Sequence, residues 1–511
     1  MSTKRDTWNT LAAAPLFRAG IADYWRTDIA AMESSLRRDA PGRWVRQGDR
    51  RALALFHAAA ERVPAYRDFL RRHRINGRAV RTAADLDGVP FTDKANYVNR
   101  YPLAARCWDG KLRNASLIAV SSGTSGEPKF WPRGQRQEME ATLIHELAYR
   151  TLFGIHRKST LAVIGFPMGV YVSGVATLLP TWLTAQRGYP LTAVSVGNNK
   201  DQALNVIGKL RRNYDQVLLI GHPFFVKDVV ESGKRAGLSW RKSGLRMLFC
   251  SEGFSEAWRS YLNRAAGLAA DAVAAMNTYG SSETLLIGHE TPLTVALRRA
   301  ASADPELCGN LFASATVPNL FQYNPLLRHV ARLNGELLFT SDSGIPLIRF
   351  NLHDAGTVIP YADGVAALRK SGRTVPAGSW KLPFIALKGR SDHTLVFYAA
   401  NIYPEHVHAA LNAEKFLGDI TGKFALRKGY DRKHEAFLEL NIELQPGKRP
   451  AASLARALSR HVVGVLRRIN MEYDFLWNHL GKDLTPRVIL KNYQDPEHFR
   501  PGLKPKYLIK E

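Results

Sequence analysis

From about residue 116, short apolar runs alternate with helical stretches, and this alternation constrains the fold more than any other feature of the chain. Leu117–Val120, Leu161–Ile164, Val217–Ile220 and Met247–Cys250 are each followed at once by a Gly or Ser. Strand-like runs separated by helices predict a layered α/β domain. Such a domain binds its ligand outside the carboxyl ends of the strands. The first hundred residues read as helical. Asp49–Val63, for example, carries Leu53, Leu55, Phe56, Ala59 and Ala60 along one side. Pro90-Phe91-Thr92-Asp93-Lys94 predicts a turn and a helix start, with Thr92 or Asp93 as the cap. After about residue 330 the runs crowd together (Gly335–Thr340, Pro346–Phe350), which predicts a smaller β-rich lobe. From about residue 390 strand and helix patterns alternate again, through Leu395–Phe397, Glu405–Leu411, Phe437–Leu444 and Ala452–Arg468. That is a small α+β module of roughly 120 residues. The expected division is therefore 1–389 for a large domain and 390–511 for a small one.

The 511 residues suffice for several domains. With 45% hydrophobic and 23% charged residues, wholesale disorder, collagen and coiled-coil classes are excluded. No apolar run approaches the ~20 residues that span a bilayer, and the opening apolar stretch is too short and interrupted for a secretory signal. Cys107, Cys250 and Cys308 are too scattered for a disulfide framework or a zinc pair, so a reducing, cytoplasmic setting is expected. Lys and Arg number 71 against 45 Asp and Glu, a net charge of +26. Such a surface attracts nucleic acid, anionic lipid, phosphorylated cofactors or an acidic carrier protein. The basic residues lie in short pieces such as Arg71-Arg72-His73-Arg74 and Arg211-Arg212. Without a basic tail, zinc-finger spacing or aromatic RNA-binding signature, nucleic acid is not the expected partner.

Five segments carry chemistry. Ser121-Ser122-Gly123-Thr124-Ser125-Gly126-Glu127-Pro128-Lys129 leaves a β run directly. Its glycines uncover backbone N–H groups and its hydroxyls add donors, a composition that wraps a polyphosphate and equally suits a turn. It lacks the Gly-Lys-Ser/Thr ending of a P-loop. Asn277-Thr278-Tyr279-Gly280-Ser281-Ser282-Glu283 places an aromatic ring, hydroxyls and a carboxylate around a glycine turn. Arg349-Phe350-Asn351-Leu352-His353-Asp354 is a strand running into an acid that suits ribose hydroxyls or a plain turn. Lys388-Gly389-Arg390-Ser391-Asp392 precedes Asn401-Ile402-Tyr403-Pro404-Glu405, and Gly502-Leu503-Lys504-Pro505-Lys506-Tyr507 ends the chain in basic residues.

In this order the segments resemble the adenylate-forming acyl ligase superfamily, and within it the phenylacetate–CoA ligase-like branch. Pro64-Ala65-Tyr66-Arg67, Val89–Lys94 and Tyr101-Pro102 are similar to that branch's N-terminal segment. The resemblance implies a multi-lobed N-terminal domain of layered sheets and helices, a small mobile C-terminal domain, and a two-step reaction. ATP and Mg²⁺ convert a carboxylic acid to an acyl-adenylate, and the acyl group then passes to CoA. Ser121, Ser122, Gly123, Thr124, Ser125, Gly126 and Lys129 would cradle the departing phosphates. Tyr279 would stack on adenine, with Asn277 and Glu252 near its edge and Gly280 and Ser281 completing the motif. Ser282 would touch the α-phosphate, Glu283 would hold Mg²⁺ and Asp354 the ribose. Arg390 would reach the nucleotide from the domain junction, and Lys504 or its rival Lys506 would bridge carboxylate and α-phosphate. Asp392 would be the hinge.

Two departures from the family pattern stand out. Phe350 replaces a tyrosine, and Ala399 stands where the family usually has glycine in the acceptor tunnel. The added methyl bears on a thin ligand such as CoA and leaves an amine or a carrier-protein thiol open as acceptor. For the acid, Phe166, Gly169, Tyr171, His222, Pro223 and Phe224 follow expected strands and suggest an aryl or other apolar carboxylate. A lapsed homologue serving as a basic scaffold is the third reading; the presence of Glu283, Asp354 and Arg390 speaks against it.

Overall fold

The computed structural model describes residues 21–120, 129–166, 168–169, 172–250, 253–390, 395–397, 400–402, 404–430, 436–470, 473–474, 477–478, 481–500 and 507. Its strands, in chain order, begin with β1 (Leu117–Val120), β2 (Phe130–Arg133), β3 (Thr160–Gly165), β4 (Leu191–Ser195), β5 (Gln216–Gly221) and β6 (Arg246–Phe249). Next come β7 (Ala275–Ser281), β8 (Leu285–His289), β9 (Asn319–Tyr323), β10 (His329–Leu333), β11 (Glu336–Ser341), β12 (Leu347–Ile359) and β13 (Phe384–Arg390). The last are β14 (Leu395–Phe397), β15 (Ala400–Ile402), β16 (Ile420–Tyr430), β17 (Ala436–Leu444) and β18 (Arg487–Lys491).

Eleven strands form one sheet in the order β10-β11-β12-β13-β9-β8-β7-β6-β5-β3-β4. The β4–β7 half is parallel and the rest antiparallel. Parallel strands are covered on both faces and therefore read as unbroken apolar runs. Leu161, Val163, Val217 and Leu219 enter the core on one face, while Ala162, Ile164, Leu218 and Ile220 enter the core on the other. The first core includes Val226, Val229 and Val230 of the helix Pro223–Arg235 and Trp258 of the helix Glu256–Ala265. Gly165 and Gly221 pair across β3 and β5, and a Cβ on Gly165 would overlap the Phe225 ring, which fills the space that both leave.

Two expectations change. Leu117–Val120 does not join the parallel sheet; it pairs antiparallel with β2 in a two-stranded ribbon. The strands after residue 330 do not stand apart but extend the main sheet. The join is β7 itself. Its first half (Ala275–Asn277) pairs with β6 and its second (Thr278–Ser281) with β8.

The N-terminal helices Pro41–Arg62 and Pro64–Arg72 lay Leu55, Phe56, Tyr66 and Phe69 against Phe339, Leu347 and Phe350 of the antiparallel half. Between the two possible caps, the structure selects Asp93. Its carboxylate accepts from Asn96 N, while Thr92 is buried and bridges β12.

Residues from 395 onward share a core of their own, built from Phe397, Phe424, Leu440, Leu466 and their neighbours. There β16 and β17 form a hairpin, β18 adds parallel to β17, and the helices Pro404–Leu411 and Ala452–Ile469 pack on them. Polar links among the described residues join this unit to the large sheet's helices. Lys423 Nζ lies 3.6 Å from Asp228 and 3.1 Å from Glu443. Tyr493 Oη donates to Asp228 at 3.2 Å, and Arg264 pairs with Glu414 at 2.8 Å. No helix among the described residues is long and apolar enough to cross a membrane.

Candidate active site

The site is built on β7, where the two halves of the sheet meet. Asn277 is buried; its N–H donates to Glu290 Oε2 at 2.7 Å and its Oδ1 accepts from Thr278 N. Two residues on, the Tyr279 ring stacks on Phe321 with centroids 5.5 Å apart. Its hydroxyl donates to Asp354 Oδ2 on β12. The side chains that the resemblance assigns to adenine and ribose are thus bonded to each other in the buried centre of the sheet. Gly280 is required for the turn that follows, because a Cβ there would lie 2.6 Å from Leu285 O. Ser281 Oγ accepts from Glu283 N and Thr284 N at 3.2 Å, holding that turn. The turn carries the Glu283 carboxylate inward, to 4% exposure.

A second element reaches this turn from the N-terminal segment. Thr92 N donates to Arg349 O, Asn351 N donates to Thr92 O at 2.7 Å, and Thr92 Oγ1 donates to Ile348 O. The docked segment brings Lys94 Nζ to 2.9 Å from Glu283 Oε1. It also brings Asp93 to 3.3 Å from the His353 ring, whose other nitrogen is 3.5 Å from Glu336. Asp354 stands opposite Arg390 in the β12–β13 register.

Behind Asn277 lies a buried ionic cluster. Arg259 bonds Glu256 at 3.0 Å and Glu290 at 2.6 Å, and Arg298 bonds the same two carboxylates at 3.0 and 2.7 Å. Burial alone would push the Glu256 carboxyl up, but Arg259, Arg298 and Arg299 hold it below its ordinary range. The two arginines also donate to Ala275 O and Phe254 O, which ties the cluster to the strand and the loop beside it. Nearby, burial lowers both His145 and His289 to about 4. Each donates from Nδ1 to a carbonyl, His145 to Ala141 O and His289 to Glu290 O.

For a divalent cation, the Glu283 carboxylate fits. Its Oε1 is buried and has no aligned hydrogen-bond donor. One hard oxygen ligand supplemented by substrate phosphates is a common way to hold Mg²⁺.

No family model matches the chain. It is 21% identical over 441 residues to a phenylacetate–coenzyme A ligase of Aromatoleum evansii, covering 84% of this chain and 90% of that one. Its fold superposes on the 2-hydroxyisobutyryl-CoA ligase solved in the postadenylation state with R3-HIB-AMP, with a TM-score of 0.68 at 15% identity over 94% and 92% of the two chains. On that ligase in its thioesterification state, with 2-HIB-AMP and CoA, the TM-score is 0.53 at 15% identity over 93% and 91%. The chain is thus similar over most of its length to a phenylacetate–coenzyme A ligase and shares the fold of an acyl-CoA ligase.

In this chain the structure brings Asn277, Tyr279, Gly280, Ser281, Ser282, Glu283 and Asp354 onto one strand junction. Lys129 is half-buried at the entry to β2. Ser121, Ser122, Gly123, Thr124, Ser125, Gly126, Glu252, Tyr171, Asp392, Ala399, Lys504 and Lys506 lie outside the described residues, and of Arg390 and Phe224 only the backbone is described. Of the expected acid-pocket residues, Phe166 and His222 directly follow Gly165 and Gly221, which pair side by side on β3 and β5. Phe166 continues the alternation of Ala162 and Ile164 into the core and is 3% exposed. His222 caps the helix Pro223–Arg235 and is half-buried, Pro223 is that helix's buried first residue, and Gly169 is an exposed turn glycine with φ 84°. A cavity of about 20 Å³, room for one water, is lined by His289, Gln322, Asn324 and Trp380 among others and by none of the expected acid-pocket residues.

Lys94 and the Glu256–Arg259–Glu290–Arg298 cluster escape a reading of motifs. Glu256 and Arg259 do stand three apart on a helix, a spacing that marks a pair but not its burial.

Proposed function

We propose that this protein is an ATP-dependent carboxylic acid ligase that forms an acyl-adenylate, releases pyrophosphate and transfers the acyl group to CoA. The observation that carries the reading is the buried hydrogen bond between Tyr279 and Asp354, with Glu283 on the turn that ends the same strand. A carboxylate is a poor acyl donor because oxide would have to leave; joined to AMP, it loses a stabilised phosphate instead. Catalysis then consists of positioning and neutralising charge. In this reading Asp354 accepts from the ribose hydroxyls, Tyr279 holds Asp354 in place and borders adenine, and Asn277 is fixed beside it by Glu290. Ser121, Ser122, Gly123, Thr124, Ser125, Gly126 and Lys129 receive the phosphates, and Ser282 the α-phosphate. Glu283 would hold Mg²⁺, which supplies charge neutralisation at the leaving phosphates. Lys504 or Lys506, with Arg390, brings positive charge to the reacting carboxylate and phosphate.

The division at 389/390, the hinge at Asp392 and a rotation that exchanges the two half-reactions belong to this proposal, as does a cytoplasmic setting. An aryl or other apolar acid is the substrate class. Ala399 favours a second reading, in which the same adenylate passes to an amine or to an acidic carrier protein that the +26 charge would attract.

Pyrophosphate release from ATP–Mg²⁺ over a panel of aryl and aliphatic acids, each with and without CoA, tests both. Release followed by a CoA thioester is expected. Release without a thioester moves the acceptor to an amine or carrier protein, and failure with every acid, together with no ATP binding, removes the ligase reading.

A further inference from the structure

Lys94 closes the turn Pro90–Lys94, and none of the roles assigned above uses it. Its ammonium lies 2.9 Å from Glu283 Oε1, yet the lysine side chain is 39% exposed and the glutamate 4%. The two ends of this contact are unequal. A carboxylate that deep needs a cation close by, since an unpaired buried charge is strongly disfavoured. An ammonium on a solvent-facing stem can leave with no rearrangement of the core. The contact is also one of charge alone, because Glu283 Oε1 has no aligned donor. The backbones that carry the two groups are fixed. Thr92 is laddered to β12, Asp93 caps the short helix Lys94–Val98, and Ser281 holds the turn around Glu283. Only the side chain of Lys94 has freedom to move.

At 2.9 Å the ammonium stands where a cation bound to that oxygen would have to be. Mg²⁺ demands direct oxygen contact in a tight octahedron and gives up its waters reluctantly, so the two cations exclude each other there. Resting on the assignment of Glu283 above, we infer that Lys94 is a displaceable counter-ion. It neutralises Glu283 while the nucleotide site is empty, and the polyphosphate of ATP draws it away and opens the carboxylate to the divalent ion. Metal and nucleotide must then raise each other's affinity, since each relieves the cost that the other meets.

Mn²⁺ titration of the full chain, followed by electron paramagnetic resonance, tests this with and without α,β-methylene-ATP, which cannot be adenylated. Lys94→Met is expected to bind Mn²⁺ alone about tenfold more tightly than the wild type, and to bind the analogue in EDTA more weakly. The coupling between the two ligands should shrink accordingly. Lys94→Arg, which keeps the charge, should behave as the wild type. Lys94→Gln provides a second neutral variant, and thermal melts show that each protein is folded. Unchanged or weaker Mn²⁺ binding in both neutral variants overturns the inference. The Glu283 assignment is tested separately. If Glu283→Gln leaves Mn²⁺ uptake with the analogue intact, that assignment falls, whatever Lys94 does.

Discussion

The protein uses the same chemistry, basic side chain against carboxylate, in two places with opposite character. Beneath Asn277, Arg259, Arg298, Glu256 and Glu290 are at most 9% exposed, each pairs with at least two partners, and the arginines are tied to backbone carbonyls. Where the unit after residue 395 meets the large sheet's helices, the ion pairs and hydrogen bonds seen among the described residues are three: Lys423 and Tyr493 to Asp228, and Arg264 to Glu414. Arg264 and Glu414 are 46% and 79% exposed, and Lys423 keeps Glu443, from its own hairpin, as well as Asp228. The first arrangement cannot lose a member without stranding a charge. The second comes apart with every charge still solvated or paired. One is a buried platform, the other a contact of few members among the described residues.

The comparison predicts a graded set of effects. Arg259→Met leaves Glu256 and Glu290 buried with less compensation. It should cost about 3–5 kcal/mol of stability, read as a large drop in melting temperature together with weaker ATP binding. An equal loss from Arg264→Ala would dissolve the distinction.

Acidification should weaken the platform next. The unfolded chain protonates His145 and His289 near their ordinary 6.5, whereas burial holds the folded values at about 4. The unfolded state therefore binds more protons between those limits, and stability falls as pH drops from about 6.5 towards 4. The loss is at most about 3 kcal/mol per histidine. Melting temperature followed from pH 7.5 to 5 reads it, and a His145→Gln, His289→Gln double variant should flatten the profile.

Asp228→Asn replaces one of the two carboxylates on Lys423 by a neutral amide, whose oxygen can still accept from Tyr493. Stability should change by about 1 kcal/mol or less. Small-angle scattering should nonetheless report a more extended average shape, because the altered group lies between the two units. Arg264→Ala sits at the bottom of the scale, within about 0.5 kcal/mol of wild type; a heat-capacity scan would detect anything larger.

What the sequence disclosed follows from the same physics. The parallel strands were legible because burial on both faces writes apolar runs that need no partner to be recognised; β3 and β5 are the clearest cases. The motif residues on β7 and β12 were legible because their types and order are unusual together. The pairing of β1 was not, since its partner β2 is a four-residue run, Phe130-Trp131-Pro132-Arg133, that shows no strand pattern of its own. Nor was the continuity of the main sheet, because the spacing of runs says nothing about which strands become neighbours. Phe166 was read from its aromatic character; the structure adds that it continues the alternation along β3 into the core of Ala162 and Ile164. Lys94 and Glu283 meet only after Thr92 has docked on β12, a contact between distant segments that composition cannot announce.

The plug made by Phe225 against Gly165 and Gly221 bears on how this protein can change over generations. A methyl on Gly165 collides with the ring, and one on Gly221 lies 3.0 Å from it. Gly165 cannot be replaced first without a clash, whereas a shortened Phe225 opens space that a later alanine there would fill; at Gly221 the backbone oxygen of Gly165, 3.2 Å from the added carbon, stays in the way of an easy fit. Gly165 and Phe225 form a one-way gate in sequence space: descendants that vary Gly165 should be those in which the phenylalanine has already gone.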